Sequence, residues 1–232
     1  GEVASILKRL PVLEERIAEY VKMAAGQKTM LMRFCGVGKL SQAEILKYGA
    51  VGPTARASGV DYDTRKDDPY LVYDQIPWKV VTENDGDVYG RTKVRIGELS
   101  ESLGMVRYCL ENLPEGQIRT TAPKAAPSGE ILSRYEAPRG ELVHFIRTNG
   151  TDKAERLDIR TPTLANWTSV AAALVGRNLA DIPVIVAAID PCLSCTSRMT
   201  IVDQDKNEQR TLPVIVSGRE IPAGRREVSF HE

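Results

Sequence analysis

The sequence predicts an α+β chain, mainly helical, with a helix-bundle core and small antiparallel β-hairpins. Three observations carry that expectation. Residues 3–24 and 92–112 each set apolar side chains at steps of three and four, the spacing of one helix face. Two apolar runs, 142–146 and 154–159, flank Thr148-Asn149-Gly150-Thr151, and Asn-Gly between such runs is a hairpin signal. At 232 residues with 42% hydrophobic content, the chain can bury a sizeable core, as one large domain or two small ones.

Each element follows in order. Val3, Leu7, Leu10, Leu13, Ile17 and Val21 form the first stripe, and Pro11 predicts a kink or a later helix start near it. Ser41-Gln42-Ala43-Glu44 fits a capping box opening a short helix to about Tyr48, with Gly49 ending it. Residues 52–90, rich in Gly, Pro, Asp and Tyr, read as a long ordered loop region, and loops of that length are usually functional or packed on a partner. Ile96, Leu99, Leu103, Val106, Leu110 and Leu113 make the clearest helix, with Pro114 beyond its end. Residues 120–130 are a Pro/Ala-rich connector, a domain linker or a loop within one domain.

After the hairpin, 163–177 reads as a helix with Thr163 as cap. Residues 182–189 are apolar throughout, so buried as helix or strand. Met199–Val202 with Thr211–Val216 forms a second hairpin, followed by a charged end. The resulting organisation is 1–119, 120–198 and 199–232.

Charge removes one class of function. Lys plus Arg is 31 and Asp plus Glu is 31, so the net charge is zero, whereas a general nucleic-acid binder needs a basic excess. No apolar run approaches the ~18 residues of a membrane-spanning helix, and no signal-peptide pattern opens the chain. With only two His, chemistry falls to thiols, carboxylates or Arg.

Cys35 and Cys109 read as structural thiols, Cys109 buried in the 92–112 stripe. Cys192 and Cys195 differ, because Asp190-Pro191-Cys192-Leu193-Ser194-Cys195 is a CxxC. That spacing brings two sulfurs onto one metal, allows a redox disulfide, or leaves two thiols at a turn. A four-thiolate site needs a second CxxC, and this sequence has one. Asp190 is placed to orient the CxxC turn through backbone N–H groups, or is a plain turn residue. His144, between Val143 and Phe145, reads as a packed or edge strand residue, and His231 as a terminal one.

Three segments in order carry a resemblance: Glu136-Ala137-Pro138-Arg139-Gly140-Glu141, Pro162-Thr163-Leu164-Ala165-Asn166-Trp167, and Asp190 through Arg198. The set resembles the C-terminal half of the large subunit of nickel–iron hydrogenases. The upstream block Gly52-Pro53-Thr54-Ala55-Arg56-Ala57-Ser58-Gly59-Val60, with Arg65, Asp68 and Pro69 beyond it, resembles the same proteins. It is also similar to the 49-kDa-type quinone-module subunit of respiratory complex I. Complex I subunits lack the terminal CxxC, so Cys192 and Cys195 favour the hydrogenase side. Arg198, where many uptake hydrogenases have His, looks like the energy-converting group, including the CO-induced and formate-hydrogenlyase types.

The resemblance implies a fragment of the hydrogenase large-subunit fold. Cys192 would be a terminal nickel ligand and Cys195 a bridge to iron, and soft thiolates suit both metals. Arg139 would overhang the iron's diatomic ligands, with Pro162 and Thr163 lining their pocket; read as structure alone, these are a turn residue in a surface ion pair and helix-entry chemistry. Arg56 and Arg65 would face the iron–sulfur small subunit; as plain loop residues they would be solvated or ion-paired. The complete subunit would hold nickel and iron with diatomic ligands, while this chain, with one CxxC and a Gly1-Glu2 start, is expected to be a fragment that holds none.

Processing would fall between Arg198 and Met199, and the 34 residues beyond imply an unprocessed chain, with an attached C-terminal domain as the alternative. Expected partners are the iron–sulfur small subunit, other hydrogenase or complex I-like subunits, a maturation protease and nickel chaperones, with no nucleic acid and no membrane span. The expected location is cytoplasmic, peripheral on the inner face of the membrane. Two other readings stand beside this: a complex I-like scaffold contributing to a quinone pocket without metal chemistry, and a thiol-redox or zinc module.

Overall fold

The computed structural model describes residues 2–196, 198–203 and 208–213. The chain divides into two compact units, Gly1–Cys195 and Thr196–Glu232. The first is α+β, as expected: eight α-helices and a three-stranded antiparallel sheet among its described residues.

Helix α1 spans Glu2–Gly26 without a restart at Pro11, which lies inside it. An interior proline removes one helical hydrogen bond and crowds the preceding turn. Packing answers that cost here: Leu10 is buried and α1 lies on helix α6 (Val88–Glu111), where Glu14 pairs with Arg107 at 2.5 Å. Helix α2 is Lys28–Phe34. Helix α3 is Gln42–Tyr48, with the expected reciprocal capping box: the Ser41 hydroxyl accepts from Glu44 N at 3.3 Å and the Glu44 carboxylate accepts from Ser41 N at 2.8 Å. Gly49, at φ 64°, closes it.

The 52–90 region is irregular apart from two four-residue helices, α4 (Pro53–Arg56) and α5 (Thr64–Asp67). Its opening stretch is not a surface loop. Residues 51–58 are buried throughout, and Ala55 joins Leu40, Ile45, Val88, Ala173 and Ile185 in the main core. A second cluster forms from Ile76, Trp78 and Met105, against which Cys109 packs. Cys35, in contrast to its expected structural role, is exposed.

Helix α6 starts four residues before the apolar stripe, because Asp87 caps it: its carboxylate accepts from Gly90 N at 2.8 Å and from Gly36 N at 2.6 Å. The connector is exposed as far as Ser128. Strand β1 (Gly129–Ala137) then pairs with β2 (Gly140–Thr148), which pairs with β3 (Ala154–Arg160), all antiparallel. The expected Asn-Gly hairpin is β2–β3, with a register shift at Arg147/Thr148 and an Asn149 side chain accepting from Thr151 N at 3.2 Å. His144 lies on β2 with its ring 5.8 Å from that of Tyr135, packed as a strand histidine should be.

Helix α7 is Pro162–Leu174. Thr161 holds the N-cap position and Pro162 the first turn, so Thr163 lies inside the helix and is no cap. The apolar run 182–189 is helical, forming α8 (Ile182–Ala187). In the second unit the expected hairpin is strand β4 (Arg198–Asp203) against β5 (Glu208–Pro213), with Met199 opposite Leu212. Val216 and His231 lie outside the described residues.

Candidate thiol and arginine site

The site is assembled by two tight turns. The first joins β1 to β2 through Pro138 and Arg139, since Ala137 pairs with Gly140. It is pressed against the start of α4: a Cβ on Gly52 would sit 2.4 Å from Gly140 Cα and 2.5 Å from Arg139 O. Gly52 and Gly140 have φ of 66° and 128°, so both positions need glycine for conformation and for space. Asn166 on α7, fully buried, fixes the same junction. Its Oδ1 accepts from Val51 N at 2.9 Å, and its Nδ2 donates to Val51 O at 3.3 Å and to Arg139 O at 3.4 Å.

The second turn follows α8. Asp190 adopts φ 55°, a left-handed conformation that Asp tolerates better than most residues, and it redirects the chain into the CxxC. Its carboxylate takes guanidiniums: Arg139 donates through Nη2 to Oδ1 at 3.0 Å and through Nε to the Asp190 carbonyl at 2.7 Å, and Arg95 Nη1 lies 3.6 Å from Oδ2. Arg139 and the CxxC entry are thereby tied together, although 51 residues separate them in sequence.

Helix α7 supplies the third side. Thr163 is buried, and its Oγ1 accepts from Cys192 N at 3.3 Å. Thr161 Oγ1 donates to Cys195 O at 2.7 Å. The Cys192 thiol lies 3.0 Å from Ser194 Oγ. The Ser194 hydroxyl, reinforced by hydrogen bonds from the side chain and backbone of Cys195 and by the Arg139 charge, brings the Cys192 thiol down to about 7. Burial and the neighbouring Cys192 push Cys195 up. Of the two, the thiolate is therefore favoured at Cys192.

Arg139, Pro162, Thr163, Cys192 and Cys195 thus fall in one place. Arg198 and Met199 head β4 in the second unit. Among the described residues, no group of three or more His, Cys, Asp or Glu is placed to hold a metal ion. The donors present are two adjacent sulfurs, one near its thiolate form, which suit a soft metal but supply half of a tetrathiolate set.

Arg56 and Arg65 are not solvated loop residues. Arg56 is 1% exposed and lies 2.7 Å from Glu98, 2.9 Å from Glu136 and 3.3 Å from Asp63. Burial works against its charge, yet Glu98, Glu136 and Asp63 outweigh it and raise its pKa. Arg65 grips Asp63 through Nε at 2.9 Å and Nη2 at 2.7 Å and lies over the Trp78 ring. Sequence reasoning passed over Asn166 and Arg95; Asn166 stood inside the Pro162–Trp167 segment, one turn from Thr163.

Asn166→Ala is expected to leave the Val51 N–H unsatisfied and to lower stability by about 1–3 kcal/mol. Thermal denaturation should show a fall of several degrees; an unchanged midpoint would contradict this role.

A family model described as respiratory-chain NADH dehydrogenase, 49 Kd subunit, matches residues 2–128 and 121–198. The chain is 40% identical over 196 residues to the carbon monoxide-induced hydrogenase of Rhodospirillum rubrum, covering 84% of this chain and 54% of that protein. It is 38% identical over 188 residues to an NADH-quinone oxidoreductase subunit of Dehalococcoides mccartyi, covering 80% and 51%. Among solved structures, a chain of the membrane-bound sulfane sulfur reductase, an archaeal respiratory membrane complex, matches with a TM-score of 0.77 and 29% identity over 82% of this chain and 53% of that one. The chain spans about half the length of the curated relatives it matches.

Proposed function

The chain belongs to the family of the 49 kDa subunit of respiratory-chain NADH dehydrogenase, and from that premise we propose that it forms part of the catalytic large subunit of a membrane-associated, energy-converting nickel–iron hydrogenase. One observation carries this choice within the family: the two thiols of the CxxC adjoin Arg139 and Thr163 in a single built site.

In this reading Cys192 and Cys195 would hold the metals through their thiolates, together with a second thiolate pair that would come from outside this sequence. The metals, with diatomic ligands, would supply reversible H2 cleavage. This chain's residues do the rest. Asp190 takes Nε and one Nη2 hydrogen of Arg139, which orients the guanidinium beside the CxxC. Buried Pro162 and Thr163 exclude water from that side, and Thr163 holds the Cys192 backbone. Processing at Arg198–Met199 belongs to the same reading.

Electrons would pass to an iron–sulfur small subunit, and assembly would draw on nickel chaperones and a maturation protease. No helix among the described residues is long and apolar enough to cross a membrane. Attachment through partner subunits, peripherally on the cytoplasmic face, is therefore part of the proposal. The similarity to an NADH-quinone oxidoreductase subunit favours one alternative, a quinone-module scaffold whose thiols hold no metal.

Cys195→Ala in the full-length subunit within its complex separates the two. H2-dependent dye reduction should fall to background, with loss of bound nickel. Undiminished activity would overturn the ligand assignment.

A further inference from the structure

Three arginines from three separate helices line one cavity of about 280 Å³: Arg56 from α4, Arg65 from α5 and Arg95 from α6. Its wall also includes Glu98, Glu136 and the Ala137-Pro138 turn. The arginines differ in how many of their donors are used by the described residues. Arg56 uses Nε on Glu98 and Nη1 on Tyr62 O and Glu136. Arg65 uses Nε and Nη2 on Asp63. Arg95 makes no hydrogen bond to any described residue: its Nε and Nη2 are buried without an acceptor, and its nearest carboxylate oxygen is Asp190 Oδ2 at 3.6 Å.

The two buried donors of Arg95 beside this cavity are costly, because each has lost water and gained nothing. Neither wall carboxylate pairs with Arg95: Glu98 Oε1 and Glu136 Oε1 bond Arg56 instead. What Arg95 lacks is an acceptor oxygen. We propose that this cavity is an oxyanion site, taking a phosphate-type or carboxylate group against Arg95 with Arg56 and Arg65 beside it. Planar guanidiniums match two-oxygen acceptors bidentately, which selects an oxyanion over chloride. Burial lowers the pKa of Arg95, and Asp190 and Glu98 only partly offset that, so its charge is under-compensated as the site requires. The assignment holds whether or not the CxxC carries nickel.

Inorganic phosphate titrated into the full chain at fixed ionic strength, with chloride as the balancing salt, tests it by calorimetry and thermal shift. Saturable binding is expected, weakened roughly tenfold or more in Arg95→Gln, since its charge-assisted bonds are lost. Arg95→Lys keeps the charge without the planar donors and should lie between the two, and it serves if Arg95→Gln fails to fold. Binding to the isolated chain but not to the chain within its native complex supports the site with a neighbouring subunit's carboxylate as its oxyanion; binding to both supports a free anion. A response to phosphate no larger than to chloride, or one unchanged in both Arg95 variants, overturns the proposal.

Discussion

Arg56→Met is expected to cost about 3–5 kcal/mol, because it removes the cation that three carboxylates share in a buried group and leaves their charges under-compensated. The side chains of Asp63 and Glu136 are 1% and 3% exposed, so neither carboxylate gains water when the guanidinium goes. Glu98, at 18%, can partly resolvate. Burial already pushes Glu136 up against the opposing pull of Arg56, so in the variant it should take up a proton more readily. A loss of this size is comparable to the whole stability of a small domain, ~5–15 kcal/mol. Chemical denaturation should show either a greatly lowered midpoint or no cooperative transition. A second variant, Glu136→Gln in the Arg56→Met background, should recover part of the loss by removing one stranded charge. A midpoint for Arg56→Met within error of the parent would mean that the cluster is solvated and the account of this region wrong.

Gly52→Ala is the other large effect. The added methyl would meet Gly140 Cα at 2.4 Å, Arg139 O at 2.5 Å and Gly140 N at 2.6 Å, all backbone atoms that cannot swing aside as a side-chain tip would. The positive φ adds conformational strain of its own. Together these are expected to cost roughly 3 kcal/mol or more, strain and overpacking each contributing in the 1–3 kcal/mol range. The consequence is local as well as global. Forcing the α4 start away from the β1–β2 turn moves Arg139 off Asp190, so amide exchange around residues 137–140 should accelerate even where the fold survives. Unchanged exchange there together with an unchanged melting temperature would show that the two glycines do not lock the turn.

What could be read in the sequence follows from how local each signal was. The Ser41–Glu44 capping box, the 92–112 stripe and the Asn149-Gly150 hairpin are specified within a few residues, and all three formed where expected. The long 52–90 segment lacked periodicity because it is held by non-local contacts: Arg56 reaches Glu98 and Glu136, 42 and 80 residues away. Strand β1 was hidden for a related reason. Its residues are exposed or half-buried, so no alternation of polar and apolar side chains marks it, and its turn is Pro-Arg rather than Asn-Gly. Pro11 misled in the opposite sense, since packing on α6 overrides a local helix-breaking signal. At the site, the residue types at Arg139, Thr163, Cys192 and Cys195 were legible from the motifs, but the links between them were not. Asp190 joining Arg139, and Asn166 holding the Val51 backbone, depend on segments brought together only by the fold.

The central claim is that Cys192 and Cys195 supply half of a nickel site. Nickel content and sulfur coordination of the full-length subunit, taken from its matured complex, test this most directly. Nickel in stoichiometric amount with sulfur ligands, lost in both Cys192→Ser and Cys195→Ala, is the predicted result. A matured complex without nickel, its two thiols still open to alkylation, would contradict it and leave the quinone-module scaffold as the reading of this chain.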